Sequence, residues 1–138
     1  MFSIPQKQRF ALSAYFFLSG ICFSTFASRI PTLKSIFTLT EGELGNLLMI
    51  MPASAIIGIP LSGWMVAKYN SRIPLQLGSV LFLISLFSLG WGFSLVGLIV
   101  SLFLFALSLR IINVAINTQS LSLQEKFEKK IVGKFHGI

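Results

Sequence analysis

Charge is what this chain has least of. Only 11% of its 138 residues are charged, where a soluble domain carries about a quarter. So few charges cannot cover a water-facing globule, and with 54% hydrophobic residues and a mean hydropathy of +0.84 the class is a membrane protein. Acids are scarcer still, with four Asp+Glu against eleven Lys+Arg for a net charge of +7. None of the four lies inside a long apolar run. That removes the buried carboxylate a proton-coupled exporter of cations normally needs. A basic balance can mark a nucleic-acid binder, but only as a basic stripe on a soluble fold. Here the cations fall in the gaps between apolar runs, where charges that orient membrane spans sit. Nucleic acid is not an expected partner. A single cysteine, Cys22, excludes an intramolecular disulfide and a multi-cysteine metal site. It reads as a small buried hydrophobe. The single histidine, His136, cannot build a metal site alone. No catalytic or nucleotide-binding motif is present, so neither an enzyme, a cofactor nor a metal is expected.

What is present is a set of long uncharged runs. Residues 1–9 carry Lys7 and Arg9 and form a short basic terminus; Phe10 to Ser28 is then free of charge. A basic start, an apolar stretch and Thr25-Phe26-Ala27 also fit a cleavable signal peptide. The length of the run and the spans after it favour a retained helix. Within it Gly20, Ser24 and Ser28 recur at i, i+4 and i+8, a spacing that lets a neighbouring membrane helix approach closely. Arg29-Ile30-Pro31 reads as the end of this helix, because proline pushes its predecessor out of the helical region. Thr40-Glu41-Gly42-Glu43 then fits a capping box at a membrane surface.

From Leu44 through Ala67 no charged side chain occurs, long enough to cross a hydrocarbon core of ~30 Å at ~1.5 Å per residue. Ser54, Gly58 and Ser62 form a second small-residue stripe, and Pro52 and Pro60 are expected to kink this helix. After Arg72 the next charge is Arg110. That interval is too long for one span and suits two, joined at Gly90-Trp91-Gly92-Phe93-Ser94. The expected architecture is an all-α polytopic bundle of four transmembrane helices within residues 10–119. Its spans fall at about 10–28, 44–67, 74–89 and 95–115. Residues 120–138, with Lys126, Lys129, Lys130, Lys134 and His136, read as an amphipathic helix on the cytoplasmic surface. Placing both termini inside puts eight cations in the cytoplasm against Arg29 and Lys34 outside, which sets the expected orientation.

One charged side chain falls within a span. Arg110 shares a helix face with Asn113 and Asn117, at i+3 and i+7. An intramembrane arginine costs about 2.5–3.5 kcal/mol at a helix centre, so it carries a functional hypothesis by default. It either snorkels to the inner headgroups or lines a polar cavity. The alignment with the two asparagines favours the cavity, whose donors suit an anionic or hydroxyl-rich solute.

In this order the features resemble the first third of a major facilitator superfamily transporter. That family's hallmark between spans two and three has the form G-x-x-x-D-R-x-G-R-[RK]. The corresponding turn here is Gly63-Trp64-Met65-Val66-Ala67-Lys68-Tyr69-Asn70-Ser71-Arg72. Gly63, cationic Lys68, aromatic Tyr69 and Arg72 fit; Ala67 stands for the acid, Ser71 for the inner arginine and Asn70 for the second glycine. Asn70 suits a glycine position because asparagine tolerates the left-handed region. Ala27-Ser28-Arg29-Ile30-Pro31 with Lys34, Leu39-Thr40 with Leu44-Gly45, and Asn113-Val114-Ala115-Ile116-Asn117 with Gln119 are similar to a sugar-permease-like and uncharacterised inner-membrane branch. The resemblance implies a partial major-facilitator fold in the bacterial inner membrane. It implies a gating turn at Gly63, Lys68, Tyr69, Asn70 and Arg72, and a small polar solute, sugar-like or otherwise organic. Its expected partners are the lipid bilayer and the remaining transporter helices or a second copy. It further implies a truncated segment that transports nothing alone. A self-sufficient dimerising four-span exporter and a non-transporting interaction subunit are the alternatives.

Overall fold

A computed structural model describes residues 4–91 and 94–127. The chain is an all-α bundle in which four stretches are long and apolar enough to cross a membrane. Its elements are α1 (Ile4–Ile36), α2 (Glu41–Leu48), α3 (Ile50–Tyr69), α4 (Arg72–Gly90) and α5 (Leu95–Phe127). The second span is α2 and α3 together, interrupted only at Met49.

The helix ends follow local chemistry, with departures from expectation. Helix α1 does not stop at Pro31 but runs through it to Ile36. A membrane helix tolerates the single lost N–H because other groups satisfy the freed carbonyl. Its actual terminator is a Schellman motif: the Leu39 N–H donates to the Lys34 carbonyl (2.9 Å) and the Thr38 N–H to the Ser35 carbonyl (3.2 Å). Thr38 takes the left-handed position, at φ 50°, where glycine is the usual occupant. Helix α2 then begins on the capping box, with the Thr40 side chain accepting from the Glu43 N–H and the Glu43 carboxylate accepting from the Thr40 N–H. A Lys34–Glu41 ion pair ties the end of α1 to this start.

The discontinuity in the second span falls at Met49, upstream of both prolines. Pro52 has no N–H to give the Leu48 carbonyl and its ring crowds that oxygen, so the helix breaks one residue after Leu48. Pro60 lies inside an unbroken α3. Ser94 starts α5, its Oγ accepting from the Gly97 N–H at 3.0 Å. Helix α5 continues unbroken to Phe127, so no separate surface helix begins at Ser120. The rest of the expected tail, with Lys129, Lys130, Lys134 and His136, lies outside the described residues.

Helix α5 is the centre of the bundle, packed against α3, α4 and α1. Phe105, fully buried, stacks on Phe82 of α4 (4.8 Å between ring centroids) and meets Phe26 of α1 (5.2 Å). Close approach on either side comes from glycine. A side chain at Gly58 would meet Arg110 Cγ at 3.1 Å, and one at Gly78 would meet Ile112 Cγ1 at 3.1 Å. Ser54, Ser62, Ser85 and Ser108 are buried at these seams. Each hydroxyl donates to the carbonyl three residues back, so none needs a partner across the interface. Buried serine here acts as a small residue.

Candidate functional site

Arg110 leaves α5 half-buried, its Cβ and Cγ laid over Gly58 of α3. A larger residue at 58 would displace the arginine stem, so this glycine positions it. Arg110 also borders an open cavity of about 200 Å³ between α1, α3 and α5. Its walls are Phe23, Met51, Pro52, Ala106, Leu109, Arg110 and Asn113. Pro52, the residue responsible for the break in the second span, is thus also a wall of this cavity. Among the described residues the one ion pair is Lys34–Glu41, so no carboxylate neutralises Arg110. The cavity wall thus pairs an arginine with an asparagine, and no acid stands among its lining residues.

The three-residue face is only partly assembled. Asn117 is not in the cavity wall, and its Oδ1 is buried without a hydrogen-bond partner. One helical turn separates the cavity pair from this sealed acceptor.

The turn between α3 and α4 is stabilised without an acid. The Lys68 ammonium lies over two rings, 4.9 Å from the centroid of Trp64 and 5.2 Å from that of Tyr69. The rings meet edge to face at 5.7 Å and 89°. A cation over aromatic faces is worth about 0.5–1 kcal/mol at an exposed site. Sequence reasoning left Trp64 as a filler position, although it stands four residues before Lys68, on the same helix face. Asn70 has φ 63°, as its place in the turn suggested, but ψ is 164°. The backbone is therefore in the positive-φ extended region, nearly exclusive to glycine, and not in the left-handed helical one. Its Oδ1 accepts from the Ser71 N–H at 2.6 Å. Gly63 is exposed with open space beside it, and Arg72, also exposed, opens α4.

The two small-residue stripes have separate fates. Ser54, Gly58 and Ser62 are buried against the bundle. Gly20, Ser24 and Ser28 are exposed, and a side chain at Gly20 would meet nothing within 4 Å. Sequence reasoning passed over Gly78 and Ser85 of α4, both buried. Their i, i+7 spacing was the available signal.

The chain matches the Major Facilitator Superfamily model over residues 2–138. It is 26% identical over 127 residues to the uncharacterised transporter y4wD of Sinorhizobium fredii, covering 92% of this chain and 34% of that protein. To an uncharacterised MFS-type transporter of Yersinia pestis it is 24% identical, covering 96% of this chain and 34% of the relative. To the membrane protein MosC of Rhizobium meliloti it is 28% identical, covering 92% and 31%. The chain thus spans about a third of the length of these relatives. No solved structure matches it. With the family model matching nearly every residue of a four-span helical bundle, the chain belongs to the major facilitator superfamily.

Proposed function

We propose that these four spans form part of a secondary carrier for a small polar solute, and that Arg110 and Asn113 line its path. The observation that carries this reading is an intramembrane arginine, without an acidic partner among the described residues, facing an open cavity beside an asparagine. Such donors suit a carboxylate, a phosphate or a hydroxyl-rich molecule of the sugar-permease type. Lys7 and Arg9 lie at the same end as the turn carrying Lys68 and Arg72, which supports an orientation with both termini in the cytoplasm of a bacterial inner membrane. The exposed α1 stripe supports further helices, or a second copy, completing the path.

Uptake by membrane vesicles tests the reading. This chain is measured alone and fused to the helices that follow the fourth span in a full-length relative, against a panel of sugars and organic acids. The fused protein is expected to accumulate one solute class saturably and to lose that uptake with Arg110→Gln. Uptake unaffected by Arg110→Gln would contradict the assignment of the path. Saturable uptake by the chain alone would favour the self-sufficient dimer.

A further inference from the structure

The cavity between α1, α3 and α5 limits its occupant by what the wall has and what it lacks. Apart from Arg110 and Asn113 its lining is apolar: Phe23, Met51, Pro52, Ala106 and Leu109. Among the described residues, neither the Arg110 nor the Asn113 side chain makes a hydrogen bond or an ion pair. No Asp or Glu stands before Glu41 or between Leu44 and Gln124, so the apolar lengths of these helices hold no counter-charge. The apolar side is anchored to the centre of the bundle. Phe23 meets Phe26 edge-on, at 6.3 Å and 61°, and Phe26 meets the buried Phe105.

Three requirements on an occupant follow. The first is charge: one negative charge balances one arginine, whereas a phosphate dianion leaves an excess in a region of low dielectric, where charge is costly. The second is the number of polar groups. A carboxylate has two oxygens that an arginine fork matches bidentately, and an asparagine amide can donate to it as well. A sugar carries a hydroxyl on nearly every carbon, and against this wall most would be buried without a partner. The third is the body. An apolar cavity of about 150 Å³ binds benzene, so about 200 Å³ suits a ring with a carboxylate attached.

We propose that the solute of this path is a monocarboxylate with an apolar body about the size of a benzene ring. Its carboxylate pairs with Arg110 and Asn113, and its body lies against Phe23 and Met51, side chains that favour aromatic contacts. The proposal rests on the reading that Arg110 and Asn113 line the path, and narrows it by setting aside phosphates and sugars.

The test uses the full chain in lipid nanodiscs, titrated with phenylacetate, its neutral analogue phenylacetamide, glucose and glycerol phosphate, and followed by saturation-transfer NMR. Empty nanodiscs correct for partition into lipid. Phenylacetate is expected to bind saturably, and the other three at least about tenfold more weakly. Arg110→Gln should abolish the preference for phenylacetate over phenylacetamide. That preference is a ratio within one protein, so a smaller folded fraction does not mimic its loss. Phe23→Ala should weaken phenylacetate and leave acetate unchanged; Phe23 is exposed, so the core stays closed. Binding of glucose or glycerol phosphate in place of phenylacetate, and lost with Arg110→Gln, overturns the solute class and leaves the path intact. Absence of Arg110-dependent binding by all four compounds overturns both.

Discussion

Two stripes in this molecule have the same chemistry and spacing and opposite surroundings. Ser54, Gly58 and Ser62 on α3 are buried against the bundle. Gly20, Ser24 and Ser28 on α1 are exposed. The difference teaches what such a stripe encodes. It removes side-chain bulk from a face and permits close approach, but it does not name the partner. On α3 the partner is α5, whose Arg110 stem and Leu107 fill the space beside Gly58. On α1 the face is open, and the helix is held to the bundle by other residues, notably Phe26 against Phe105.

The comparison can be pressed by substitution. The largest effect is expected from Phe105→Ala, which removes the ring joining α1, α4 and α5. In lipid the transfer contribution largely vanishes, because the surroundings are as apolar as the core. What remains is cavity and lost dispersion, so about 2–3 kcal/mol of stability should be lost, below the 3–5 typical of water-soluble cores. Reversible unfolding in mixed micelles measures it. Gly58→Leu comes next. Its side chain collides with the Arg110 stem 3.1 Å away, and overpacking of this kind costs about 1–3 kcal/mol. The same assay should also show a looser α3–α5 seam as faster amide exchange in both helices.

Thr38→Gly should act in the other direction. Thr38 holds a positive φ that a β-branched residue adopts only under strain, and glycine there should raise stability by about 1 kcal/mol. A lowered unfolding midpoint would show that the Schellman turn does not carry the strain inferred from its backbone. The smallest effect belongs to Gly20→Leu, with a change within about 0.5 kcal/mol for the four-span bundle, as at an open surface site. If Gly20→Leu destabilises this bundle as much as Gly58→Leu does, the contrast between the stripes is wrong.

Much of this was legible in the sequence, for identifiable reasons. Scarcity of charge sets the class, and the uncharged runs become four spans, the longest of them two, because bilayer thickness fixes the length a helix needs. The capping box at Thr40 and Glu43 formed as written, since both partners are local. Proline was the weak signal. Pro31 did not end α1, Pro60 did not break α3, and Pro52 moved the break back to Met49. A lone proline states which carbonyl loses its donor, and the surroundings decide whether the helix yields. In the candidate site, periodicity placed Arg110, Asn113 and Asn117 on one face, but only the first two reach the cavity. Whether a polar residue on a helix meets open space depends on which helix lies opposite, and that is a property of packing. The Lys68 cage was missed for the same reason.

The claim that Arg110 and Asn113 border a water-reachable solute path is tested most directly by thiol accessibility. In a Cys22→Ala background, the Asn113→Cys variant is exposed in membranes to a charged, water-soluble thiol reagent, with Ile57→Cys as the reference. Ile57 is exposed on α3 beside the exposed Ile56 and Ile59, an apolar face suited to lipid and not to water. The account predicts that the Asn113→Cys variant reacts rapidly while Ile57→Cys stays unmodified. Equal resistance of the two variants would contradict it.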